Sequence, residues 1–219
     1  MKAHLLRGTV LAALLLASTG AMSAGAANSR DARIEHVTDQ FVAMLRIGEL
    51  LDEFAAKDAR WPLGEKASGV SADKLKCLRD ELSSAGYRRQ KDAEVREYYR
   101  DASDEQLAND TRVLDAGAAQ VMGKLLGAAY DAKRAGKTVD QRAALQGVSG
   151  EQMSAMVEFI QAPEFKGLRK LSGLGSTFGG MSGSGADAED AGKGAGASMV
   201  SKIMFKAMDT CAIPPATLL

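Results

Sequence analysis

Apolar residues recur along most of this chain every three or four positions, the period of an amphipathic helix with one buried face. Beyond residue 26, alternating runs of strand length do not occur, and adjacent β-branched pairs are confined to Val37-Thr38 and Thr138-Val139. The first helix is expected from about Ala32 to Lys57, with Ile34, Val37, Phe41, Met44, Leu45, Ile47, Leu51 and Phe54 on one stripe and Asp31 as its N-cap. Trp61-Pro62 bars continuation, because the residue before proline is pushed out of the helical region. Ser71 opens a second helix with Leu75, Leu78 and Leu82 inward and Gly86 as its stop. Tyr87 to Arg100 forms a short, strongly charged third segment.

Ser103 and Gln106 have the spacing of a capping box and start a long helix to about Ala135. Leu107, Leu114, Ala118, Val121, Leu125 and Ala128 point inward along it, and Gly136 closes it. A second box, Ser149 with Gln152, leads Met153, Met156, Val157 and Ile160 up to Pro163. Phe165, Leu168 and Leu171 mark one more short helix. Composition then turns to Gly, Ser and Ala: 9 of the 23 glycines fall between Gly173 and Gly196, which predicts a flexible loop. A last helix over 197–210 carries Met199, Val200, Ile203, Met204, Ala207 and Met208 toward a core, and Pro214-Pro215 ends it. The expected fold is all-α, an irregular bundle of about five to six helices with a glycine-rich loop before the last one.

The N-terminus reads as an address rather than as structure. Lys2 and Arg7 precede the apolar run TVLAALLLA from Thr9 to Ala17, and small residues follow as far as Ala27. That order belongs to a secretory signal peptide, with Ala24-Gly25-Ala26 as the cleavage site. Gly8 to Ala17 rises only about 15 Å as a helix, half of a bilayer core. The organisation is therefore a leader over 1–26, a helical domain over 27–171, a Gly/Ser-rich loop over 172–198, and a C-terminal helix segment, 199–219, that packs back on the domain. The expected location is periplasmic or secreted, without a lipoprotein cysteine and without a stable membrane span.

Charge and composition then narrow the chemistry. The full chain balances 28 basic against 28 acidic residues, and loss of Lys2 and Arg7 with the leader leaves 26 against 28. Nucleic acid is not an expected partner of so even a balance. One histidine, His36, survives processing, which leaves little from which to build a zinc or haem site. Its neighbour Glu35 points about 100° away around the helix and cannot orient it. Gly173-Leu174-Gly175-Ser176-Thr177-Phe178 misses a dinucleotide fingerprint at its last position, and Gly192-Lys193 lacks the rest of a P-loop. Met153/Met156 and Met204/Met208 have a same-face spacing that suits Cu(I), but core filling is the commoner use of such methionines. No catalytic set and no cofactor are expected.

Cys77 and Cys211 are the strongest single feature. Two cysteines in an oxidising compartment pair, and closing so long a loop contributes on the order of 4–5 kcal/mol in the chain-entropy model. Gly123 and Gly127 form a G-x-x-x-G that lets another helix approach closely. Tyr87, Arg88, Arg89, Arg96, Tyr98, Tyr99 and Arg100 interleave residue types that anchor interfaces, so this segment is either a solvated face with local ion pairs or a contact surface.

Residues 149–170, SGEQMSAMVEFIQAPEFKGLRK, resemble a segment of a family of small secreted helical domains of unknown function in proteobacteria. Ser149, Glu151, Met153, Met156, Phe159, Pro163, Lys166 and Leu168 follow that family's outline, whereas Ile160 replaces its second aromatic and Phe165 a usual glycine. The resemblance implies a secreted helical protein and supplies no active-site residues. The expected function is a non-enzymatic periplasmic protein that binds another protein. Alternatives are an inhibitor or immunity protein against a secreted toxin or cell-wall hydrolase, a cell-envelope hydrolase, and a carrier of a small apolar ligand.

Overall fold

The computed structural model describes residues 19–175 and 185–218. Most of the leader expected over 1–26 lies outside the described residues, as do residues 176–184 of the expected glycine-rich loop. Among the described residues the fold is all-α, with about 8–10 helices in place of five to six. No described helix is long and apolar enough to cross a membrane.

The extra helices come from breaks that periodicity does not register. The expected first helix divides into α1 (Thr19–Leu45) and α2 (Ile47–Lys57), because Arg46 adopts a left-handed conformation with φ 49°. Helix α1 begins well before Asp31, which is therefore an interior residue and not a cap. The turn at Arg46 sends α2 against the start of α4 (Ser84–Tyr99). There Asp52 accepts from the Ser84 amide at 3.0 Å, and a Cβ on Gly48 would stand 2.9 Å from the Ser84 Cα. Between them, α3 (Ala72–Glu81) ends at Leu82, before Gly86. Gly86 instead opens α4: its amide donates to the Ser83 cap at 3.1 Å, and its missing side chain lets the Glu81 carbonyl come within 2.2 Å of where a Cβ would lie.

The expected long helix also breaks. Helix α5 (Asp104–Val113) passes through a π-helical turn, Leu114–Ala118, into α6 (Ala119–Arg134), with Gly117 at φ 122°. Ser103 does cap α5, accepting from the Gln106 amide at 3.1 Å. The reciprocal half of the box is absent, because the Gln106 side chain donates to the Tyr98 hydroxyl instead. After the short α7 (Gln141–Ala144), α8 (Gly150–Gln161) has its capping box complete and lies against the π turn. Ala155 and Phe159 are its buried residues, while Val157 faces solvent. Helix α9 (Lys166–Ser172) follows. Helix α10 (Gly185–Thr210) starts twelve residues ahead of the expected Ala197, so part of the expected loop is helical. Val200 on α10 and Phe54 on α2, both expected inward, are exposed.

Two hydrophobic clusters result. The first gathers Ile34, Val37, Phe41 and Met44 of α1 with Val95, Tyr99, Leu107, Val113, Leu114, Phe159, Phe165 and Leu168. The second joins Leu51, Leu63, Leu78, Leu82 and Tyr87 to Ile203, Ala207, Met208, Cys211 and Ile213. Its anchor is the Cys77–Cys211 disulfide, which links residues 134 apart with Cα atoms 5.8 Å from each other. The G-x-x-x-G performs the close approach expected of it: a Cβ on Gly123 would lie 3.5 Å from the Met44 Cα of α1.

Two stability predictions arise from this architecture. Gly117→Ala forces a side chain into a left-handed backbone and toward Gln152, whose Cγ lies 2.6 Å from the new Cβ position. It should cost about 3 kcal/mol or more in urea unfolding, whereas Gly147→Ala, with open space around it, should lose only the backbone strain of about 1 kcal/mol. Cys77→Ser should lower unfolding free energy by about 4–5 kcal/mol and abolish the faster migration of the oxidised chain on non-reducing gels.

Candidate functional site

The Tyr/Arg segment, read from sequence as either a solvated face with local ion pairs or a contact surface, runs along α4 to its C-cap Arg100, and the fold uses it for cohesion. Tyr87, Lys91, Val95 and Tyr99 follow one another at four-residue intervals and all are buried. Tyr87 and Tyr99 are 2% and 0% exposed, so they are core residues and not surface anchors. Burial, reinforced by Glu94, pushes the Tyr87 phenol upward; burial with Asp110 does the same to Tyr99. Tyr98 is half-buried, edge-on to Tyr99, and accepts from Gln106 at 3.0 Å.

The four arginines are engaged with this chain's own acids. Arg88 reaches across to α1, donating to Asp39 at 2.7 Å and Glu35 at 3.3 Å. Arg96 bonds Asp92 on its own helix and Asp31 on α1. Arg89 meets Glu81 at 2.8 Å and Arg100 meets Glu97 at 2.7 Å. Each exposed pair contributes at most about 1 kcal/mol. Arg89 ties α4 to the end of α3, while Arg88 and Arg96 tie it to α1. Arg30 completes that edge by donating to the carbonyls of Tyr99 and Ala102 and to the Asp104 carboxylate.

On the other side of α1 a groove of about 860 Å³ runs along α6 and is overhung by α7. Its floor is made of small side chains, Ala43, Ala119, Gly123, Gly127 and Ala128, and its rim carries Gln40, Arg46, Gln120, Lys124, Asp131 and Gln146. Arg46 is held by Glu49 at 2.9 Å and Lys124 by the Gln146 carbonyl at 3.1 Å, so the two rim cations already have partners. Past Gly127 the groove narrows toward Tyr130, whose hydroxyl donates to Glu53 at 2.9 Å while Arg134 sits over its ring and bonds the same carboxylate. Hydrogen bonds from Lys57 and Tyr130 hold the Glu53 carboxyl below its ordinary value.

One mouth of the groove brings together residues that sequence reasoning left apart. His36 Nε2 lies 2.6 Å from Asp115 Oδ1, and Gln40 donates to the same oxygen at 2.8 Å. Asp115 sits on the π turn, 79 positions from His36, and no local spacing announces the pair. About half of each side chain is exposed. Gln40 touches both members of the pair, and Gln152 donates to Gln120; such amides hydrogen-bond without exchanging protons. The arrangement suits recognition through hydrogen bonds. Among the described residues no three His, Cys, Asp or Glu side chains come together as a metal site.

The most strongly perturbed acid lies away from both places. Asp110 on α5 is 1% exposed and accepts from the Tyr99 hydroxyl at 2.9 Å. Burial raises its carboxyl to about 6, an effect that the Tyr99 hydrogen bond only partly offsets. Its place in the first cluster, away from the groove-lining residues, makes it a structural group.

No protein-family model, curated protein or solved structure matches this chain. The geometry therefore carries the functional argument alone.

The Asp110 environment generates a pH prediction. Between its ordinary value near 4 and its folded value of about 6, the unfolded chain ionises this group while the folded chain keeps it protonated. Its favourable contribution is complete below pH 4 and is lost as pH rises through 6, a change on the order of 2 kcal/mol. Asp110→Asn holds the group neutral. Subtracting the variant's stability–pH curve from that of the natural chain should reveal this step between pH 4 and 6 and a flat difference above it.

Proposed function

We propose that this is a non-enzymatic binding protein of the periplasm or another oxidising, extracytoplasmic space, and that it holds an extended segment of a partner protein in the α1–α6 groove. The observation that carries the reading is the groove's combination of a small-residue floor with three glutamine amides, Gln40, Gln120 and Gln146, on a rim whose charges balance closely. Glycine and alanine on the floor let a second backbone approach closely. Glutamine amides offer both donors and acceptors, which match the alternating N–H and C=O groups of a peptide main chain. Arg46 is paired with Glu49 and the rim carries Asp131 as well as Lys124, so the groove lacks the excess positive charge that a nucleic acid requires. The disulfide, the leader sequence and the resemblance of residues 149–170 to secreted helical domains support the location.

The test places a photo-crosslinking amino acid at Gln120 on the rim and at Glu151 on an exposed turn of α8, in cells that export the chain. A single protein adduct is expected from position 120, none from 151. Ala43→Trp, at an exposed floor position, should fill the groove and abolish the adduct while leaving thermal unfolding unchanged. Equal adducts from both positions, or no adduct at 120, would overturn the reading. N-terminal sequencing of exported protein tests the location, with Ala27 as the expected first residue.

A further inference from the structure

A second cavity lies on the opposite side of α4, along the seam where the two hydrophobic clusters meet. It measures about 150 Å³ and is walled by α4, α9 and α10, with Tyr87, Lys91, Glu94, Lys170, Met199 and Lys202 among its lining residues. That volume equals roughly five water molecules at about 30 Å³ each, too small for a lipid or a peptide.

Its charge is lopsided. Three ammonium groups, Lys91, Lys170 and Lys202, stand around one carboxylate, Glu94. Glu94 bridges two of them, at 2.8 Å to Lys91 and 3.0 Å to Lys202, so both of its oxygens are in use. Burial opposes its ionisation, but the two lysines outweigh burial and hold the carboxyl below its ordinary value. Lys170 adds a further positive charge, which leaves the lining at net plus two.

Two buried groups in this wall have hydrogen-bonding capacity in excess of the partners they find. The Lys91 side chain is only 8% exposed; Glu94 and the Leu171 carbonyl, at 3.2 Å, take two of its three donors. The Tyr87 hydroxyl is fully buried without any hydrogen-bond partner among the described residues. An unmade hydrogen bond at a buried group is costly, of the order of 1–3 kcal/mol, so a site that keeps two such capacities is built for something that accepts hydrogen bonds. An anion supplies acceptors to both donors and neutralises the excess charge.

We propose that the seam cavity is a binding site for a compact oxyanion, a carboxylate or a phosphate, held by Lys91, Lys202 and the Tyr87 hydroxyl. This is independent of the groove reading, since the two sites share no lining residue. Lys91 and Tyr87 come from α4 and Lys202 from α10, so the site exists only while the C-terminal helix is docked.

Isothermal titration calorimetry on the full, oxidised chain at low ionic strength tests the proposal, with inorganic phosphate and succinate as separate probes and chloride as the control. One-to-one binding of phosphate, of succinate or of both is expected, and which anion binds more tightly identifies the source. Tyr87→Phe removes only the unpartnered hydroxyl, so the variant should fold as well as the natural chain while affinity falls about tenfold; Lys202→Ala, at an exposed residue, should weaken binding similarly. Tyr130→Phe, at the far end of the groove, should bind as the natural chain does. Absence of binding to either anion up to roughly 10 mM, or affinity unchanged by both Tyr87→Phe and Lys202→Ala, would overturn the assignment.

Discussion

One helix has to satisfy two hydrophobic clusters at once, and the rest of the molecule is arranged around that demand. Helix α4 gives Val95 and Tyr99 to the cluster built on α1, α5 and α8, and Tyr87 to the cluster built on α2, α3 and α10. The same helix carries seven charged residues among its sixteen, and its arginines are matched with acids on α1, on α3 and on itself. The bend at Arg46 follows from the same demand. A straight continuation of α1 would carry Leu51 away from the second cluster, whereas the left-handed turn lays α2 against the N-terminal end of α4.

This double use explains why some of the architecture is legible in sequence and some is not. Some features that act within four residues read correctly: the Ser149–Gln152 box forms as expected, and Gly136 ends α6, although Asp31 and Gly86 do not bound helices as expected. The cysteine pair is also legible, since two cysteines allow a single pairing within the chain. What fails is decided by neighbours distant in sequence. Gly117 sits in a perfectly helical apolar pattern, yet the approach of Gln152 from α8 requires its unusual backbone. Gln106 has the spacing to complete a cap and is drawn to Tyr98 instead. Tyr87 and Tyr99 lie within a run so charged that its average suggests solvent, although every fourth residue is buried. As for the groove, Gly123 and Gly127 hinted at its floor, but the His36–Asp115 contact at its mouth had no sequence signal.

The two candidate sites contrast in their physics. The groove is broad and open, with a floor of small residues and a rim of amides and charged side chains, where shape and main-chain hydrogen bonds would set affinity. The seam is small, partly open and cationic, and there a single charge-assisted hydrogen bond would outweigh any area term. They lie on opposite sides of a scaffold whose ion pairs leave little freedom between them. An extended segment in the groove and an anion in the seam would make their contacts through different helices, with α4 and α1 as the rigid partition.

The long span of the disulfide sets an order of assembly. Chains are delivered N-terminus first, and the first cluster is complete once Leu174 has arrived. The second is not: Leu51, Leu63, Leu78 and Leu82 wait for Ile203, Met208 and Ile213, and Cys77 waits for Cys211. Until Ile203 to Ile213 arrive, the first cluster has all its residues while the second is an apolar surface with an unpaired thiol. Docking of α10 and the residues just after it therefore covers that surface and pairs that thiol in one closing step.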